Sequence, residues 1–255
     1  MTDGFQLVSS RPDLLSAARD AAIKYADGRI REGTIGVAFL GAIARGYFDA
    51  DSDIDISFFE EHGATPCQTD TVMVDGHHVH YFRMDFGAAA GMDWDDAQRW
   101  AYSRCIIHYD PAGRLAELLG RKVPLRPEER KRSLMAGTAL SEWYVNRLTD
   151  VWVRRGSLAS AHHMIHEGLN HFLGALFALN NELVADHKWR LHCAEGLKVL
   201  PLGFMEGMTG VLGVGELSRA ELERRKAAFM GLWRDILPAI ECELGMKYDE
   251  FKDKV

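Results

Sequence analysis

Strand-like and helix-like patterns mix up to residue 124, after which the pattern is almost wholly helical, and that contrast limits the fold more than any other feature. Before residue 124, apolar residues come in short runs broken by glycine or Asp–Gly. "TIGVAFL" (34–40) stops at Gly41, "DIDISFF" (53–59) alternates, and "HHVHYFRMDF" (77–86) follows Asp75–Gly76. Runs of this length and period predict strands. Around them, "RPDLLSAARDAAIKYADGRIREG" (11–33) predicts a helix. Leu14, Leu15, Ala18, Ala22 and Ile23 recur at helical spacing, Asp13 lies near its start, and Gly28 or Gly33 ends it. "RLAELLGRKV" (114–123) predicts a shorter helix, and Cys105 to Ile107 form a short apolar stretch.

At "PLRPEERKRS" (124–133) the chain turns polar and charged, with prolines at 124 and 127. Beyond it the pattern is helical over 127–155, 157–183, 187–199 and 217–245, with Pro201 and the glycines of "GMTGVLGVGE" as separators. The expected architecture is an α+β domain (1–125) built on a small mixed sheet with helices, followed by an all-α helical bundle (126–255). With 47% hydrophobic and 26% charged residues over 255 positions, each part can bury a core.

A net charge of −7 argues against a nucleic-acid surface, and no basic stripe with interleaved aromatics appears. The cysteines, Cys67, Cys105, Cys193 and Cys242, are far apart and form no CxxC pair, which fits free thiols in a reducing cytoplasm. "MTDGFQLVSS" has neither a basic flank nor a long apolar run, and nowhere do 18 apolar residues run together. The expectation is a cytoplasmic protein without a membrane partner, monomeric or homodimeric.

"LGAIARGYFDADSDIDISFF" (40–59) sets two carboxylates in a frame otherwise built for a core. Side chains at i and i+2 of a strand share a face, so Asp53 and Asp55 project together while Ile54 and Ile56 face the opposite, buried side. Two carboxylates that close are unfavourable unless a cation or a proton sits between them. Mg²⁺ satisfies both and keeps coordination positions open for phosphate oxygens. The turn from Gly41 to Gly46 lets backbone amides approach an anion. Strand, turn and paired acids together suit a metal-bound nucleoside triphosphate.

"GAIARGYFDADSDIDI" resembles the signature of the polymerase-β-type nucleotidyltransferase superfamily, in which an Ala–Arg–Gly turn precedes Ser–Asp–Ile–Asp–Leu. The resemblance implies that Asp53 and Asp55 are metal ligands and that Gly41 and Ala42 line the triphosphate. Arg45 either braces the turn or touches a phosphate, and Ser52 either orients the first aspartate or caps the turn. Ala42 stands where the family commonly has serine, which removes one hydrogen bond worth about 0.5–1.5 kcal/mol net. The family also commonly takes a third carboxylate from the following strand. Here that strand carries His77, His78 and His80, with Asp85 as its only acid. Asp85 serves after a register shift, or His80 takes the position as base or ligand, or the site is a relic.

In the helical half, His163, Glu167 and His171 recur at i, i+4 and i+8 and form one stripe. His162 and His166 also share an i, i+4 spacing, but no H–E–x–x–H accompanies them. "ALFALNNELVADHKWRLH" resembles the C-terminal region of small-molecule nucleotidyltransferases of the antibiotic-resistance type. That implies Lys188 reaches the nucleotide phosphates. Separately, Glu142 in "LSEWYVNR" lies on an earlier helix beside aromatics and is a candidate to accept an amine or hydroxyl of the substrate, and Glu167, in the polar stripe, is a second candidate on the substrate side. The resemblance implies transfer of a nucleoside monophosphate from an NTP, ATP foremost, to a hydroxyl of a small acceptor, with Mg²⁺ as cofactor. The acidic balance suits a cationic acceptor such as an aminoglycoside. The rival expectations are a catalytically impaired nucleotide-binding or scaffold protein and a protein-nucleotidylating enzyme of toxin–antitoxin type.

Overall fold

The computed structural model describes residues 11–61 and 68–254, so Cys67 and the stretch 1–10 lie outside it. The chain divides into two compact units, one ending at Pro124 and one running from Leu125. In order, the first holds α1 (Pro12–Asp27), β1 (Thr34–Leu40), α2 (Gly41–Arg45), β2 (Ile54–Glu60), β3 (Gln68–Val74) and β4 (His77–Asp85). It is completed by α3 (Phe86–Gly91), α4 (Asp96–Tyr102), β5 (Ile106–Tyr109) and α5 (Arg114–Lys122). The five strands form one mixed sheet in the order β3-β4-β2-β1-β5. β2 is central, antiparallel to β1 and parallel to β4.

Alternation sorts the side chains of β2 onto two faces. Ile54, Ile56 and Phe58 are fully buried, with Val37 and Phe39 of β1, beneath Ala18 and Ala22 of α1. On the other face, Phe59 packs with Trp94, Tyr102, Leu115 and Leu118. The buried Ser57 hydroxyl lies 2.6 Å from the Tyr102 hydroxyl. Upstream on that same face come Asp55, half-buried, and Asp53, exposed.

Two strands escape the sequence reading. β3 reads "QTDTVMV", four polar residues followed by three apolar ones, and it lies at the edge of the sheet. It joins β4 through Asp75 (φ 48°) and Gly76 (φ 85°), the paired left-handed residues of a tight hairpin turn. β5 grows out of the short apolar stretch after Cys105 and pairs with β1. The expected turn between Gly41 and Gly46 folds instead as the single helical turn α2.

The second unit comprises α6 (Pro127–Glu142), a π-helical segment (Trp143–Leu148), α7 (Thr149–Arg154), α8 (Leu158–Leu179), α9 (Arg190–Glu195), α10 (Phe204–Leu212), α11 (Arg219–Leu244) and α12 (Tyr248–Phe251). α6 and α8 pack backbone to backbone, because a Cβ at Gly137 would lie 2.8 Å from the His171 carbonyl oxygen and one at Gly168 2.9 Å from that of Ser141. The core includes Ile165, Leu169 and Phe172 of α8 with Phe229, Leu232 and Trp233 of α11. The rings of Phe172 and Phe229 meet edge to face at 5.3 Å. α10 occupies a stretch expected to be a separator. A Cβ at Gly207 would meet Leu232 at 2.5 Å, so this glycine admits a neighbouring helix and does not break its own. Among the described residues, no helix is long and apolar enough to cross a membrane.

The buried imidazole of His162 faces the buried Arg225, whose Nη1 donates to Nδ1 at 2.8 Å. Burial, then the Arg225 charge, hold the His162 pKa below its usual value, against smaller opposing effects of the Ser218 backbone and Glu221. The unfolded chain protonates this histidine near pH 6.5, whereas the folded chain resists protonation. Its contribution to stability is therefore complete above that pH and is lost as pH falls below it. Thermal melting between pH 7.5 and 5 is expected to show a falling midpoint, with a shallower fall in His162→Gln.

Candidate metal and nucleotide site

The candidate site forms where β2 begins. Asp55 pairs with Leu40 of β1 on one side and with His80 of β4 on the other. The parallel register puts His80 directly across from Asp55, on the same face. One ligand atom from each of Asp53, Asp55 and His80 falls within 4.8 Å of the others. The Nδ1 of His80 is 3.6 Å from Oδ1 of Asp55, and both side chains are partly open to solvent, at 32% and 24%. The His80 ring also rests against Phe82, centroids 4.5 Å apart.

Gly41 makes room for this cluster. Its φ is +60°, and a Cβ there would run into Oδ2 of Asp55. A non-glycine residue in the left-handed region costs about 1–2 kcal/mol, and here it would also push the carboxylate aside. Gly41→Ala is expected to lower stability in a urea titration by about that amount and to weaken any cation binding at Asp55.

Two carboxylates and an imidazole converging at the partly open end of a sheet fit one divalent cation. All three are electron-pair donors, and the pocket kept free by Gly41 belongs to one of the carboxylates. Of the other histidines on β4, His78 is exposed, while His77 packs edge-on against Phe48 at 5.8 Å on the opposite face.

Asp85 is not part of this group. It lies across from Glu60 at the far end of β2, and its Oδ1 accepts from the Ala88 amide at 2.7 Å, capping α3. Five residues of strand, at about 3.3 Å each, separate it from His80. Arg45 braces α2 against α4. Its Nη2 donates to the Trp100 carbonyl at 2.7 Å, and its guanidinium lies 3.8 Å from the centre of the Trp100 ring. Ser52 caps a turn, donating to Oδ1 of Asp49 at 2.9 Å. Asp49 was missed in the sequence, although D–A–D–S is a natural side-chain-to-backbone turn. Hydrogen bonds from Tyr47 and then Ser52 hold its carboxyl below the usual range. Together these contacts fix the loop that delivers Asp53. Ala42 is buried in α2, beside Gly41.

The remaining expected residues belong to the helical unit. Glu142 accepts from Asn146 at 2.8 Å and lines a cleft of about 850 Å³ with Trp143, Arg147, Tyr248, Lys252 and Asp253. Burial, then the adjacent Glu142, raise the Tyr248 phenol well above its ordinary pKa. Glu167 faces His163 at 3.6 Å, whereas His171 lies against Tyr144, centroids 5.0 Å apart. Lys188 is exposed, in the turn before α9. His162 is buried and His166 exposed, so their spacing yields no shared site.

No protein-family model matches the sequence, and no curated protein matches it. Among solved structures, the chain is similar to a nucleotidyltransferase-like protein from Exiguobacterium sibiricum 255-15, with a TM-score of 0.48 and 12% identity over 90% of this chain and 78% of that one.

Proposed function

We propose that the sheet unit is the catalytic half of a metal-dependent nucleotidyltransferase. The observation that carries this reading is the convergence of Asp53, Asp55 and His80 beside Gly41, within the motif that resembles the polymerase-β-type signature. Asp53 and Asp55 hold the cation. When bound, the ion stabilises charge developing on the transferred phosphoryl group and on the leaving pyrophosphate. Gly41 and Ala42 line the path of the triphosphate. The acceptor hydroxyl oxygen bonds to the α-phosphorus, the bond from that phosphorus to the bridging oxygen breaks, pyrophosphate leaves with the electron pair, and the hydroxyl proton is lost to water. Holding the two reactants in line supplies much of the rate.

The co-substrate of this proposal is ATP, and the acceptor is a small hydroxyl compound, cationic in keeping with the net charge of −7. Neither nucleic acid nor membrane takes part. Glu142 and Glu167 are its acceptor-side carboxylates, and Lys188 is its phosphate-side cation. The test is pyrophosphate release from ATP with a divalent ion and a panel of aminoglycosides, polyols and protein hydroxyls, with product mass gain as confirmation. No release with any acceptor or ion would sink the proposal.

One observation favours a second reading, in which nucleotide is bound but not turned over. No carboxylate of β4 joins Asp53 and Asp55, because Asp85 lies at the far end of β2. Calorimetric binding of ATP with Mg²⁺ in the absence of pyrophosphate release would select it.

A further inference from the structure

We propose that His80 is a nitrogen ligand of the cation held by Asp53 and Asp55, and that the site therefore favours a first-row transition ion such as Mn²⁺ over Mg²⁺. The inference rests on the metal-dependent reading above and adds the identity of the ion.

Backbone register carries the first step. β2 and β4 pair in parallel, with Asp55 across from His80, so the histidine's position is fixed by a sheet ladder and not by a flexible loop. Its Nδ1 points at Oδ1 of Asp55 from 3.6 Å. Two neighbouring ligands on a six-coordinate ion are about 3 Å apart, given bonds of about 2.1 Å. A small side-chain rotation in this partly exposed pair closes the difference. Phe82, two residues along β4 on the face that carries Asp55, packs its ring 4.5 Å from that of His80.

Ligand chemistry carries the second step. Mg²⁺ is hard, prefers oxygen and keeps its waters, whereas imidazole suits the later divalent ions. Two carboxylates and one imidazole form a mixed oxygen–nitrogen set, on which Mn²⁺ and its heavier neighbours outcompete Mg²⁺. Mn²⁺ also accepts six ligands, leaving positions for phosphate oxygens. Replacing the nitrogen with a carboxylate would restore an all-oxygen site.

The full-length protein would be titrated with MnCl₂ and with MgCl₂ by calorimetry, without nucleotide, alongside His80→Asp, His80→Ala and Asp55→Asn, each checked for an unchanged melt. The native chain is expected to bind Mn²⁺ at least tenfold more tightly than Mg²⁺. His80→Ala is expected to lose Mn²⁺ affinity about 10–100-fold with little change for Mg²⁺, and His80→Asp to narrow the preference by gaining Mg²⁺. Pulsed electron paramagnetic resonance of bound Mn²⁺ is expected to show nitrogen coupling in the native chain and none in His80→Asp. An unchanged Mn²⁺/Mg²⁺ ratio in His80→Ala, or no nitrogen coupling, overturns the inference while leaving the cation site standing. Equal binding by Asp55→Asn, or no binding of either ion by the native chain, overturns the underlying metal reading as well.

Discussion

Asp55→Asn is expected to reduce nucleotidyl transfer about 10³-fold or more while leaving the melting temperature nearly unchanged. The substitution keeps the shape of the side chain beside Gly41 but removes its charge and one of its two anionic oxygens. A bound ion stabilises transition-state charge by several kcal/mol, and each 1.36 kcal/mol is a factor of ten in rate. Losing the half-buried ligand therefore removes most of that stabilisation. The fold should tolerate the change, since Asp55 belongs to the site and the neighbouring Ile54 and Ile56 belong to the core. Asp85→Asn is the matched comparison. Asparagine caps a helix about as well as aspartate, so this variant is expected to retain both its rate and its melt. Pyrophosphate release and calorimetric melts of the two variants check the pair, and similar rates for both would contradict the placement of the site.

Glu60→Leu is expected to destabilise the sheet unit by about 3–5 kcal/mol, the usual cost of leaving a buried charge without its partner. Glu60 closes the end of β2 opposite the aspartates. It is 2% exposed, and its Oε1 accepts from Nη1 of the buried Arg83. Its Oε2 accepts from Nη2 of Arg31 at 2.8 Å. Arg83 is buried and lies over the Phe58 ring, 4.7 Å from its centre. Arg31 reaches solvent and loses little. The double variant Glu60→Leu with Arg83→Met is expected to recover much of the loss, because an apolar pair of similar volume carries no desolvation penalty. Urea unfolding of the single and double variants measures both effects.

The two ends of β2 show what a sequence reveals. Asp53 and Asp55 were legible, because a two-residue spacing on a strand is enough to put them on one face. Glu60 was not, because its meaning depends on Arg83 and Arg31, which are distant in sequence. The choice between His80 and Asp85 needed the register of β4 on β2, and neither strand's own pattern records it. β1 was plain from the run "TIGVAFL" ended by Gly41, and all seven of its residues are buried. β3 was hidden because its first four residues are all polar and show no alternation, although the Asp75–Gly76 turn before β4 implies a partner upstream. α10 was hidden because its glycines read as breaks, whereas Gly207 serves contact with Leu232. Local pattern sufficed where a residue's neighbours are its sequence neighbours, and failed where tertiary packing assigned the role.

β2 and β4 run the same way, with β3 and its hairpin turn between them in sequence. A single hairpin from this region therefore cannot bring Asp55 and His80 side by side; the pairing of β2 on β4 must form. An ion that needs all three side chains recognises the assembled sheet and ignores the denatured chain, so its binding is also a restraint on unfolding. At a hundredfold excess over its dissociation constant such an ion adds about 2.7 kcal/mol to the native state, and the midpoint of denaturation becomes a gauge of how much ion is present.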